Sequence, residues 1–310
     1  MSKQSEIREL YMLNLIGRKS FSRVVLVGYY ACLLLTSFES LATGFVGPIT
    51  AATGGAGRAG TEATETHLLN PAVIVHGPEA AFAAYFVDGY LAQDRHDRII
   101  GATLLENKSD SFFSGALTYA DRKRHFGGIG SVEEMFIQVS GAKFIGKYVS
   151  LGLSASYLKQ ELIEKYDQIN GTIGLMYTPT SSVGLGLVYQ NFVPPKEDTP
   201  EFLNHRPEIG FGSTWLYEEV LKFKGDINLR EVSLGVEEEW VPEYFLGFES
   251  RFGEYLALRL GWKKSEVTGY SYYTGGLGFK GPKFHLNYAY EQKDTQRNGA
   301  LHSVDITIGF

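Results

Sequence analysis

Six ionisable residues near the C-terminal end have the types and spacing to act together: Glu249 and Arg251, Arg259, His285 and Glu291, and Asp305. On an extended strand Glu249 and Arg251 share one face. Carboxylates, guanidinium groups and an imidazole gathered in this way have two uses. They hold the charged head of a ligand, or they satisfy one another as an ion-pair network filling an enclosed space. The network needs fewer assumptions. Nucleophilic catalysis needs a nucleophile and a base held together. His302 and Ser303 are neighbours on one strand and so point to opposite faces, and no His-x-Ser pair is present. His67, His76, His96, His125 and His205 lack metal-ligand spacing. Gly55-x-Gly57-x-x-Gly60 has the form of a dinucleotide fingerprint, but no strand precedes it and no βαβ unit surrounds it. Glu237-Glu-Glu239 reads as a solvated loop, with divalent-cation binding beside lipopolysaccharide as the other reading. No enzyme, cofactor or metal site is expected.

The elements that must position the six residues have period two. Val149-Ser-Leu-Gly-Leu-Ser-Ala-Ser-Tyr157, Leu256-Ala-Leu-Arg-Leu-Gly-Trp262 and Phe284-His-Leu-Asn-Tyr-Ala-Tyr290 alternate apolar with small or polar residues. With a residue or two at each end, these segments reach about the 9–11 residues that a tilted strand needs to cross a bilayer. Such segments are centred near residues 84, 102, 116, 139, 153, 173, 187, 212, 224, 247, 259, 276, 287 and 305. That makes about fourteen strands, the even number of a single bacterial barrel. Short links near 107–110, 146–147, 178–181, 217–219, 253–254 and 281–282 alternate with polar links over 89–97, 121–132, 159–168, 192–207, 230–242, 264–271 and 291–299. This is the layout of an up-and-down transmembrane barrel with short periplasmic turns, long outer loops and both termini in the periplasm. Tyr177, Tyr189, Trp215, Tyr217 and Tyr244 lie toward strand ends, where interfacial girdles form.

The two ends of the chain agree with export to an outer membrane. Val304, Ile306, Ile308 and Phe310 make a final alternating strand that resembles the C-terminal assembly signal of bacterial outer-membrane barrels. An apolar run from Val24 to Phe38, preceded by Arg18, Lys19 and Arg23 and followed by Ser40-Leu-Ala42, reads as a signal peptide over residues 1–42. The single cysteine, Cys32, falls inside it, so the remaining chain is expected to have no disulfide framework. The formal charge of -6 argues against nucleic acid as a partner.

Residues 43–78 do not alternate. They contain Gly47-Pro-Ile-Thr-Ala-Ala-Thr-Gly-Gly-Ala-Gly-Arg-Ala-Gly60, a polar stretch with acidic residues, and Asn70-Pro-Ala72 just before the first strand. This order resembles the FadL family of outer-membrane transport proteins. The resemblance implies an all-β, antiparallel barrel over 79–310 with residues 43–78 as a plug in its lumen. Gly54, Gly55, Gly57 and Gly60 would allow tight turns there, beside Arg58, and Asn70 and Pro71 would bend the chain into the first strand. The implied function is a passive channel for small hydrophobic or amphipathic solutes, such as fatty acids, gated by the plug. The implied partners are outer-membrane lipid, lipopolysaccharide and the barrel-assembly machinery. The long outer insertions that form the ligand groove of the fatty-acid transporters are missing. A structural or scaffold barrel with a permanently filled lumen therefore stays open as the alternative. Gly184, Gly186, Gly275 and Gly276 are expected to kink or weaken the wall.

Overall fold

A computed structural model describes residues 45–310 apart from 93–94, 109–111, 127–129, 195, 197–198, 201–202, 235–236 and 296–298. The signal peptide expected over 1–42, with Cys32, lies outside the described residues. The chain begins with α1 (Pro48–Ala52), α2 (Ala63–Thr66) and a 3₁₀ helix (Pro71–His76). Fourteen strands follow: β1 (Ala80–Ala92), β2 (Arg95–Glu106), β3 (Ser114–Phe126), β4 (Gly130–Phe144), β5 (Val149–Glu161), β6 (Lys165–Thr180), β7 (Val183–Gln190), β8 (Glu208–Tyr217), β9 (Leu221–Leu234), β10 (Glu237–Phe252), β11 (Leu256–Ser265), β12 (Tyr270–Lys280), β13 (Phe284–Lys293) and β14 (Ala300–Gly309). All fourteen expected strand centres fall inside these strands. Each strand pairs antiparallel with its sequence neighbours, and β14 pairs with β1 from Ala81↔Gly309 to Gly89↔Leu301, so the sheet closes as an up-and-down barrel. Closure leaves no unpaired edge among the strands, which a bilayer demands because it offers no water to free backbone groups.

Alternation sorts the side chains as the sequence predicts. All fourteen strands present at least one large apolar side chain outward and exposed, among them Phe86 on β1, Leu153 on β5, Phe211 on β8, Leu260 on β11 and Ile306 on β14. An apolar belt around the whole circumference is the face of a transmembrane barrel. Tyr177, Trp215 and Tyr217 are exposed near the end where β1 begins and β14 stops; Tyr189 and Tyr244 are exposed toward the other end. His302 faces outward against the Tyr288 hydroxyl at 2.8 Å, and Ser303 is buried inward.

The connections differ from expectation. The polar stretches 121–132 and 230–242 are strand over most of their length, and Glu237–Glu239 opens β10 rather than forming a loop. Strand pairing continues because inward charges there find partners across the ladder, as Arg122 does with Asp97 and Arg230 with Glu208. β6 and β10 reach sixteen residues, well beyond a bilayer crossing. Of the polar links, only 191–207 stays long, so loop length does not sort the two ends of the barrel. The wall is not kinked at the expected glycines: Gly184, Gly186 and Gly275 keep their register with Thr214, Gly212 and Leu260. The register shifts lie instead between Tyr90 and Ala92 and between Tyr177 and Thr180.

Candidate functional site

Residues 45–78 lie inside the barrel, and each of their anchors can be traced to an inward position on a strand. Asp226 on β9 accepts from the backbone N–H groups of Gly57 (2.8 Å) and Arg58 (2.9 Å), and the Arg58 guanidinium lies 3.4 Å from the same oxygen. Glu62 bridges Lys222 (2.5 Å) and Lys224 (2.8 Å). Burial opposes ionisation of Glu62, but the two ammonium groups hold its carboxyl well below the usual range. Lys222, Lys224 and Asp226 are spaced by two, so one strand face carries both anchors. On β12, the Thr274 hydroxyl donates to Ala52 O and accepts from Gly54 N, at 2.9 and 3.0 Å. Burial pushes His67 down to about 4, so the ring is neutral. It then donates from Nδ1 to Ala63 O and accepts at Nε2 from Thr118, both at 2.8 Å.

Gly54 and Gly55 adopt φ of +69° and +87°, the left-handed conformation expected of them. Gly57 and Gly60 do not; they are small because Thr66, Leu69 and Glu62 pack against them. Asn70 and Pro71 do not lead directly into β1. Asn70 caps the 3₁₀ helix by accepting from Ala72 N at 3.0 Å, and its Nδ2 donates to Arg58 O and Leu175 O. Pro71, lacking an N–H, sits at the first helical position, where none is needed. The inward glycines of the wall have a use that sequence reading missed. A side chain at Gly152, Gly174, Gly186, Gly261 or Gly276 would strike Ala72, Asn70, Arg58, Gly54 or Ala52 respectively. Five strands are thus hollowed to the shape of the segment.

Four of the six predicted lumen residues form one chain of contacts. Glu249 accepts from Arg251 Nε at 3.1 Å and Arg259 Nε at 2.7 Å. Arg259 Nη1 donates to Asn287 Oδ1 at 2.9 Å, and Asn287 donates to Asp305 Oδ1 at 2.8 Å. Arg251 is half-exposed at the barrel mouth. His285 lines a cavity at that mouth outside the chain of hydrogen bonds, and Glu291 pairs separately with Lys263 at 2.7 Å. The arrangement is a self-satisfied network. Val304, Ile306 and Ile308 face outward, and Phe310 N donates to Ala80 O at 3.1 Å across the closing seam.

The far half of the lumen holds a second polar network that the sequence did not single out. Arg122 pairs with Asp97, Arg124 with Glu134, and Arg230 bridges Glu208 (2.7 Å) and Glu243 (3.1 Å). Gln160 and Gln168 carry the network to the loop before β8, where Gln168 Nε2 donates to Leu203 O at 2.8 Å. Beside this network lies a packed apolar cluster, with the Arg122 guanidinium 6.0 Å from the Phe45 ring centroid. Phe45 stacks on Phe136 with centroids 4.6 Å apart, among Tyr85, Val87, Ile99 and Leu158.

The barrel fold is shared with solved hydrocarbon channels and a FadL homologue, so the resemblance read from the sequence holds at the level of fold. The chain is similar to a structure described as the CymD monoaromatic hydrocarbon channel, with TM-score 0.69 and 13% identity over 88% of this chain and 99% of that one. It is similar to the Ralstonia pickettii toluene transporter TbuX, with TM-score 0.62 and 12% identity over 86% and 98%. A Pseudomonas aeruginosa FadL homologue aligns with TM-score 0.58 and 10% identity over 86% and 98%. No protein-family model and no curated protein matches the sequence.

Proposed function

We propose that the protein is an outer-membrane channel that passes small hydrophobic or amphipathic solutes without energy input. Residues 45–78 act as its plug and both termini lie in the periplasm. The observation that carries this reading is the buried apolar cluster of Phe45, Tyr85, Val87, Ile99, Phe136 and Leu158 inside the barrel. Apolar side chains inside the barrel give an apolar solute a surface on which to leave water. The hydrocarbon channels and toluene transporter that share the fold support the same solute class.

The second reading, a barrel with a permanently filled lumen that binds exported or surface proteins, has its own support. The segment is bonded to strands all around the wall and seated on glycines cut to its backbone. A gate built this way moves in part, not as a whole. Uptake of labelled fatty acids or alkylbenzenes into liposomes separates the two readings. A channel speeds entry, and deletion of 47–66 raises both uptake and bilayer conductance. Equal uptake with and without the protein, and conductance unchanged by the deletion, would leave only the structural barrel.

A further inference from the structure

The mouth where β1 begins and β14 stops holds a cavity of about 530 Å³, within the roughly 300–1,000 Å³ of ligand pockets. Its two sides differ in character. On one side, neighbouring elements of the wall bring cations together: Arg251 on β10, Arg259 on β11, Lys280 at the end of β12 and Lys283 in the turn before β13. Lys280 is the register partner of His285, which lines the same space. On the other side, the N-terminal segment and its approach to β1 present Ile49, Ala63 and Pro78. The positive charge is not cancelled. Glu249 is shared between Arg251 and Arg259, at 3.1 and 2.7 Å. Glu62 is shared between Lys222, which also lines the cavity, and Lys224. Among the described residues no ion pair reaches Lys280 or Lys283, and both are exposed. Glu254, in the tight turn after β10, is the third carboxylate on the wall. Histidines apart, five cations (Lys222, Arg251, Arg259, Lys280 and Lys283) face three carboxylates, so two positive charges are in surplus. Low-dielectric walls concentrate the field of such a surplus within a cleft.

We propose that this cavity binds a phosphate monoester that carries an apolar body. Above its second pKa of about 6 a phosphomonoester carries nearly two negative charges, which match the surplus. A carboxylate head brings only one. Lysine ammonium groups bind phosphate as point charges. Arg251 is bonded to Glu249 through Nε, and among the described residues its two terminal amino groups make no hydrogen bond, so they are available for a forked contact. The apolar body lies against Ile49 and Pro78 on the facing wall. Two sources share this chemistry: a soluble alkyl phosphate, and phosphatidic acid in the membrane leaflet at that mouth. The inference goes beyond the channel reading, because a site at the mouth binds whether or not the lumen conducts.

Equilibrium dialysis of the full chain in nonionic detergent at about pH 8, where the monoester is dianionic, tests the site with hexyl phosphate as the probe. Hexyl phosphate should bind saturably, and more tightly than hexanoate, hexanol or inorganic phosphate. Lys280→Gln and Lys283→Gln should each weaken binding by up to about fivefold, and added salt should weaken it further. Both lysines are exposed, so these variants keep the barrel. Lys123→Gln, on the outer face of β3 at the far end, should leave the affinity unchanged. Absence of saturable binding, equal affinity for any of the three comparison compounds, full affinity in the double lysine variant, or affinity lost with Lys123→Gln overturns the proposal. In nanodiscs, phosphatidic acid that displaces hexyl phosphate makes the lipid the occupant, and phosphatidic acid without effect makes it the soluble ester; either result supports the site.

Discussion

Glu62 and Glu65 stand three residues apart and are held by different groups. Glu62 has two lysines and Glu65 has two backbone amides. The sign at Glu62 follows from its depressed pKa: its contribution is present above its ordinary value and is lost as pH falls below it. Acidification should therefore loosen the segment from the β9 side, seen as faster amide exchange over 47–66 at acid pH. Glu62→Gln should abolish that acid limb. It leaves Lys222 and Lys224 buried and unpaired, at a cost of roughly 3 kcal/mol of docking by the measure of broken buried pairs. The pairing was only half legible beforehand. The inward spacing of Lys222, Lys224 and Asp226 is visible in the strand pattern, but nothing local says what they face.

At the scale of elements, the seat matters as much as the strands. Gly186 has no room for a β-carbon because Arg58 O lies against it. Gly186→Val should leave the barrel closed, since valine suits a strand. It should unseat the turn at 54–60 and expose Arg58 to trypsin, which cuts there slowly or not at all in the parent. The last strand makes a different demand. β14 must pair with β13 on one side and β1 on the other, and Phe310 extends the seam by one bond to Ala80. Removing Phe310 should lower the assembled fraction in cells far more than refolding yield in detergent, because one terminal hydrogen bond is worth only about 1 kcal/mol. Equal losses in both assays would place its role in stability and not in assembly.

At the scale of the molecule, the barrel inverts a soluble protein: apolar outside, charged inside. Leu260 is exposed on the outer face of β11, so Leu260→Lys should cost about 2–4 kcal/mol in lipid vesicles if that site lies at mid-bilayer, and much less near an interface. Urea titration of the refolded protein measures it. The two lumen networks also set what a plug deletion can reveal. With 47–66 removed, the Arg122, Arg124 and Glu134 group still stands in the far half. The rise in conductance should therefore be larger when Arg124→Ala is added than with the deletion alone.

The sequence by itself determined the strand number, the inward and outward faces and the closing strand, because period-two alternation is a local property of the chain. It placed Glu249, Arg259 and Asp305 on a common inward surface for the same reason. It misread 230–242 as loop, since charge there signals solvent only until a partner strand supplies the opposite charge. It misread the wall glycines as kinks, since a missing β-carbon looks the same whether a strand bends or another backbone comes close. What the lumen contains and which carboxyl meets a lysine are contacts between residues more than a hundred positions apart. Only closure of the barrel around the segment brings them together.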